Sequence, residues 1–138
     1  MTVVLDSWAV LRFLEDAGPA AQAVSDLLGR ETPLMSWINL GEVHDVLRRL
    51  HGEAAAAETL RDLRDVIDAR LPDERLVVDA ARIKADNPMA YADAFAAALT
   101  VADDATLWTG DPELLVDGSS WRWRDLRSSA RSTDEVGA

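Results

Sequence analysis

The sequence predicts an α/β protein, a three-layer α/β/α sandwich around a mainly parallel sheet of about five strands. Short β-branched runs alternate along the chain with stretches of helical periodicity, and that alternation calls for crossover connections between parallel strands. The 138 residues fit one domain, and 49% of them are apolar, enough to build a core on both faces of a sheet. No internal repeat divides the chain. Residues 1–127 are expected to form the folded unit, and 128–138, "SSARSTDEVGA", have little to bury and are expected to be a disordered tail.

The elements follow in order. "TVVL" (2–5) is a β-branched strand running into Asp6. "SWAVLRFLED" then sets Val10, Phe13 and Leu14 on one helical face, with Ser7 as the expected N-cap. After Gly18-Pro19 a second helix carries Ala23, Val24, Leu27 and Leu28 and stops at Gly29, a natural C′ residue. "PLMS" (33–36) reads as the second strand, and the helix from Trp37 to His51 ends at Gly52. Residues 53–71 predict an amphipathic helix, with Leu60, Leu63 and Ile67 on one side and Pro72 as the stop.

"RLVVD" (75–79) is expected to be the third strand and "AARIKAD" a short helix. Pro88 breaks the chain before the helix of "YADAFAAALT" (91–100), and "ATLWT" (105–109) predicts the fourth strand. Gly110-Asp111-Pro112 turns the chain, with Asp111 as N-cap and Pro112 at the first position of a short helix. "WRWRDL" (121–126) alternates with period two and predicts a fifth strand at a sheet edge.

Charge and composition narrow the function. Lys+Arg 14 against Asp+Glu 25 gives −11, which repels a polyanion at long range and disfavours generic nucleic-acid binding while leaving a metal-dependent nuclease open. The same charge suits a basic protein partner. With no cysteine, disulfides, thiol chemistry and cysteine-ligated zinc are excluded. The opening "MTVVLD" lacks the basic start of a secretory signal, and no apolar run approaches the ~20 residues of a membrane span, so a soluble cytoplasmic protein is expected.

In open parallel sheets, ligands bind beyond the carboxyl ends of the strands, where the strand order reverses. Asp6 ends strand one, Glu42 lies early in the helix after strand two, and Asp111 follows strand four. Asp93 stands in an otherwise apolar helix that runs antiparallel to strand four, so its first turn lies near that strand's carboxyl end. Asp6, Glu42, Asp93 and Asp111 are therefore the candidate site. Two charges about 4 Å apart repel by roughly 4 kcal/mol at an effective dielectric near 20, and a divalent cation removes that repulsion. Oxygen ligands without His or Cys favour Mg²⁺ or Mn²⁺, and phosphodiester hydrolysis is the natural reaction class.

Each acid also has a structural reading. Asp6 is a charged strand end, Asp111 an N-cap before proline, and Glu42 and Asp93 first-turn acids favoured by the helix dipole. What distinguishes the four is that one geometry accounts for all of them.

The stretches "VVLDSWAVL", "SWINLGEV", "YADAFAAALT" and "LWTGDPEL" together resemble PIN-domain proteins, and among these the toxin ribonucleases of VapBC-type toxin–antitoxin pairs. The resemblance covers nearly the whole chain except the tail. It implies a Mg²⁺-dependent endoribonuclease, with Mn²⁺ able to substitute, whose acidic quartet is Asp6, Glu42, Asp93 and Asp111. It further implies that Asp6, Asp93 and Asp111 ligate metal, Asp111 directly or through water, while Glu42 orients water. RNA such as tRNA or ribosomal RNA would be cut to leave a 3′-hydroxyl and a 5′-phosphate. A homodimer and a VapB-type antitoxin, laying a C-terminal segment across the acidic groove, are the implied assembly. Two positions depart from the family pattern: Ala90 where a helix-capping Ser is frequent, and Asn39 where Thr or Ser is usual. Both are expected to weaken local capping and hydrogen bonding while leaving the quartet in place.

Other features have two readings each. Trp8 and Trp37, just after strands one and two, either stack on bases or pack in the core or a dimer interface. Arg122, Arg124, Arg127 and Arg131 either guide a phosphate backbone or protect an edge strand. His44 and His51 share a helix face without an HExxH arrangement, so zinc is not expected. The competing functions are a phosphohydrolase with Asp6 as nucleophile, which usually has a second acid where Trp8 stands, and a receiver-like or PIN-like binding module without turnover.

Overall fold

A computed structural model describes residues 1–128. The elements are β1 (Val3–Leu5), α1 (Ser7–Leu14), α2 (Gly18–Leu28), β2 (Leu34–Ser36), α3 (Trp37–His51), α4 (Glu53–Val66), β3 (Asp68–Arg70), α5 (Glu74–Asp86), α6 (Tyr91–Ala102), β4 (Thr106–Thr109) and β5 (Arg122–Asp125). The five strands form one sheet in the order β3-β2-β1-β4-β5, every pair parallel. β1 is central, and the strand order reverses beside it.

Alternation along the short strands feeds two cores. Val3, Leu5, Met35 and Trp108 face one layer, built on Val10, Val24, Leu27, Leu40, Val43 and Leu63. Val4, Leu34, Leu107 and Trp123 face the other, built on Leu76, Ala80 and the run from Ala94 to Leu99. This is the expected sandwich, with every central-strand residue buried because helices cover both faces.

Several local expectations need correction. "RLVVD" is the start of α5, not a strand. Asp73 caps it, its carboxylate accepting from Leu76 N–H at 2.8 Å, and Leu76, Ala80 and Ile83 share the face that meets the core. The third strand is instead Asp68–Arg70, so α4 ends at Val66 and not at Pro72. This edge strand has no apolar signature, since both Asp68 and Arg70 are exposed. It is defined by backbone pairing with Leu34–Ser36.

At α1 the N-cap is Asp6 rather than Ser7. Gly29 ends α2 at φ −76°, without a left-handed residue. After Asp111 there is a turn and no regular helix: Leu114 N–H reaches the Asp111 carbonyl at 3.0 Å, and Asp111 Oδ1 accepts from Glu113 N–H at 3.0 Å. β5 occupies the sheet edge as expected. The tail expectation, beyond Ser128, lies outside the described residues.

Candidate active site

The site begins with the register of β1 against β4. Leu5 pairs with Trp108, so the next residues, Asp6 and Thr109, emerge side by side where the strand order reverses. Asp6 is fully buried; its Oδ1 accepts from Ala9 N–H at 2.9 Å, capping α1, and its Oδ2 accepts from the Thr109 hydroxyl. The Thr109 hydroxyl oxygen in turn accepts from Asp111 N–H at 3.0 Å, tying the β4–β5 loop to the strand ends. Burial pushes the Asp6 carboxyl up to about 7, opposed by the Thr109 and Ala9 hydrogen bonds and reinforced by the charges of Asp111 and Glu42.

Asp93 lies in the first turn of α6, a helix buried on all sides, and is only 6% exposed. Burial, then the charge of Asp111, then hydrogen bonds with Glu113 and Asp111 push its carboxyl up to about 8, with Asp6 adding to the effect. Carboxylate oxygens of Asp93, Asp111 and Glu113 lie within 4.8 Å of one another. Three acids this close, from α6 and the β4–β5 loop, form a donor set that fits a hard divalent cation.

Glu42 stands across the cleft on α3. Ser7 Oγ–H donates to its Oε1 at 2.9 Å and Asn39 Nδ2–H to the same oxygen at 3.2 Å. The cleft, about 570 Å³, is lined by Ser7, Trp8, Glu42, Asp93, Asp111 and Glu113 among others. All four sequence-predicted acids therefore meet at this end of the sheet, although Asp6 lies beneath the cleft floor and outside the close trio.

Sequence reasoning missed Glu113 and Thr109. Glu113 is two residues after Asp111 in a turn, where a first-turn acid is unremarkable; only the loop path shows that it faces Asp93. Thr109 was legible in principle from parallel register. Asn39 also corrects an expectation: rather than weakening the local hydrogen bonding, it donates twice, to Glu42 and to the Ala92 carbonyl at 3.0 Å. Ala90 does lack a side-chain cap, and Glu113 Oε2 accepts from its N–H at 3.1 Å.

The tryptophans divide. Trp8 lines the cleft, its ring packed against Gly110, where a Cβ would fall 2.3 Å from ring atoms. The Arg12 guanidinium lies 5.0 Å from the Trp8 ring centre. Trp37 packs at the margin of one core beside Arg64. Trp121 and Trp123 donate to the carbonyls of Leu114 and Val116 at 2.9 and 3.0 Å, anchoring the loop that carries Asp111 and Glu113.

The arginines of the β5 region are engaged within the chain: Arg122 with Asp104, Arg124 over the Trp108 ring and Arg127 with Asp125. That favours the edge-protection reading for these three; Arg131 lies outside the described residues. His44 pairs with Glu53 at 3.3 Å. A larger groove, about 630 Å³, runs between α5 and α6, but its Asp79 and Asp103 are matched by Arg75, Arg82 and Arg70. The cleft differs: no Lys or Arg pairs with Asp93, Asp111 or Glu113 among the described residues, and these three acids lie close together.

A parallel sheet ordered 3-2-1-4-5, with acids gathered beyond the ends of its central strands, defines an α/β protein with an acidic cleft at the switch point. The PIN domain family model matches residues 3–116, and the chain belongs to that family. Among solved structures, VapBC-1 from nontypeable Haemophilus influenzae is similar at 18% identity, covering 93% of this chain and 100% of that one, with a TM-score of 0.73. A toxin–antitoxin complex from Klebsiella pneumoniae aligns at 14% identity, 91% and 98% coverage and a TM-score of 0.74. VapC20 of Mycobacterium tuberculosis, a sarcin-ricin loop cleaving toxin, aligns at 20% identity, 82% and 92% coverage and a TM-score of 0.67. At these identities the likeness is one of fold. No curated protein matches the chain in sequence. Among the described residues no helix is long and apolar enough to cross a membrane.

Proposed function

We propose that this chain is a divalent-cation-dependent endoribonuclease and the toxin of a toxin–antitoxin pair. The observation that carries the reading is the trio of Asp93, Asp111 and Glu113, with oxygens within 4.8 Å, set beside Asp6 in the family's acidic cleft. Asp93, Asp111 and Glu113 would hold the ion; Asp6, expected from the sequence as a ligand, has its oxygens engaged by Ala9 N–H and the Thr109 hydroxyl and would add its charge from beneath. A bound Mg²⁺ or Mn²⁺ lowers the pKa of a coordinated water and offsets charge developing on a phosphoryl oxygen.

The chain's own residues supply orientation. Ser7 and Asn39 converge on one Glu42 oxygen and fix that carboxylate, suiting it to orient a water for in-line attack. The Thr109 hydroxyl, donating to Asp6, holds that group in line with the Asp111 loop. Trp8 gives the cleft an apolar wall against which a base can stack.

The similar folds from Haemophilus influenzae and Klebsiella pneumoniae come from a VapBC and a toxin–antitoxin complex, and this supports a VapB-type antitoxin partner here. Its basic C-terminal segment would meet a chain of net charge −11. Structured RNA, such as tRNA or ribosomal RNA, is the proposed substrate, and the toxin is proposed to act as a cytoplasmic homodimer.

The test is incubation with end-labelled tRNA and ribosomal RNA. Cleavage is expected with Mg²⁺ or Mn²⁺, is lost in EDTA, and falls at least about a hundredfold in Asp93→Asn, as for removal of a group that stabilises the transition state. Cleavage that survives EDTA or is unchanged in the variant contradicts the proposal. Mn²⁺ binding without turnover would point instead to a binding module.

A further inference from the structure

We propose that Asn39 is a positioning residue that couples Glu42 to the first turn of α6, fixing the spacing between the water-orienting acid and Asp93. The inference rests on the cleft being the reaction site. Asn39 is fully buried near the start of α3, in a helix where asparagine is an unfavourable choice for propensity alone. Its Nδ2 donates to Glu42 Oε1 at 3.2 Å and to the Ala92 carbonyl, 53 residues away in sequence, at 3.0 Å. Ala92 immediately precedes Asp93. One amide group thus touches a candidate acid on its own helix and the backbone that presents another.

The orientation of that amide is forced. Both groups facing Nδ2 are acceptors, so the flipped amide would set oxygen against oxygen. In the orientation adopted, Asn39 Oδ1 is buried without a protein partner, one of two such side-chain atoms among the described residues. Buried polar atoms are nearly always satisfied, so this one is held by its donors' partners and not by its own acceptor.

The tie matters because α6, though its middle is packed in the core, has no side-chain cap of its own at its first turn. Ala90 offers no capping side chain, and the turn is secured by Glu113 at the Ala90 N–H and by Asn39 at the Ala92 carbonyl. Only the second of these also reaches Glu42. Misplacing a reacting group by about 1 Å can cost roughly a hundredfold in rate; the amide spans the two elements whose relative placement sets that distance.

The test uses the full chain. Asn39→Leu, close in volume but without donors, should lower kcat for labelled RNA at saturating Mn²⁺ by about thirtyfold with KM within about threefold, and Asn39→Thr, which keeps one donor, should recover part of the loss. In the Glu42→Ala background, Asn39→Leu should add less than about threefold, because the two act as one unit. An unchanged kcat, or effects that multiply, overturns the inference.

A second readout needs neither metal nor RNA. Asn39, Asn87 and Gln22 carry the chain's three side-chain amides, so their ¹⁵N–¹H signals are easily assigned. In metal-free protein Glu42→Ala should shift the Asn39 amide and leave the other two in place. If it does not, the coupling is absent, even should Asn39→Leu fail to fold. If it does while wild type cleaves no RNA, the proposed function fails and the Asn39–Glu42 half of the coupling stands.

Discussion

Asp93 shares its helix with Ala94, Phe95, Ala96, Ala97, Ala98 and Leu99, all buried, and its carboxyl is pushed up to about 8 by burial and by Asp111. Charge there is disfavoured in the absence of a cation. Asp6, pushed up to about 7, behaves alike. Both folded values exceed the unfolded 3.8, so between pH 4 and 8 the folded state holds more protons than the unfolded one. Their contribution to stability is therefore present in full below about pH 4 and is lost as pH rises through 7 to 8. Metal-free wild type should melt at a lower temperature at pH 8 than at pH 5, with a shallower fall in Asp93→Asn; an equal or steeper fall in the variant contradicts this. At pH 8 without metal, Asp93→Asn should melt no lower than wild type, whereas a much lower melting temperature would make Asp93 a structural residue. The position of Asp93 was legible because an acid in an alanine-rich helix conflicts with its neighbours. Glu113 was not, because its partner is brought near only by the path of the β4–β5 loop.

Among the elements, α5 shows where local pattern misleads. Arg75 to Asp79 contains Leu-Val-Val and has β propensity, yet Val77 and Val78 are partly exposed and Leu76, Ala80 and Ile83 make the contact face. The signal for a helix was there in Pro72-Asp73, an N-cap pattern. Asp73→Ala removes the hydrogen bond to Leu76 N–H and should destabilise the protein by about 1 kcal/mol, read by urea unfolding; no change would mean that α5 is held by packing alone. Edge strand β3 was illegible for the opposite reason: three residues with exposed ends carry no apolar alternation, and pairing with β2 alone defines them. The β4–β5 loop has a different constraint at Gly110, where any Cβ meets the Trp8 ring. Gly110→Ala should cost ~1–3 kcal/mol by overpacking and change Trp8 fluorescence; a variant with wild-type stability and emission would mean that Trp8 is free to move.

At the scale of the whole molecule, the alternation of strands and helices was enough to predict a parallel sheet with helices on both faces, and the switch-point rule was enough to send four distant acids to one end of it. What the sequence did not disclose is the division among those acids: Asp6 beneath the floor with both oxygens engaged, Glu42 braced from two helices, and Asp93 and Asp111 joined by Glu113. That division leaves Asp93, Asp111 and Glu113 as a close trio of acids with no cationic side chain paired to them among the described residues. Soaking crystals in Mn²⁺ and recording anomalous scattering tests this most directly. A manganese peak is expected among the carboxylates of Asp93, Asp111 and Glu113, absent in Asp93→Asn. A cleft without manganese, or a peak unaffected by that substitution, would contradict it.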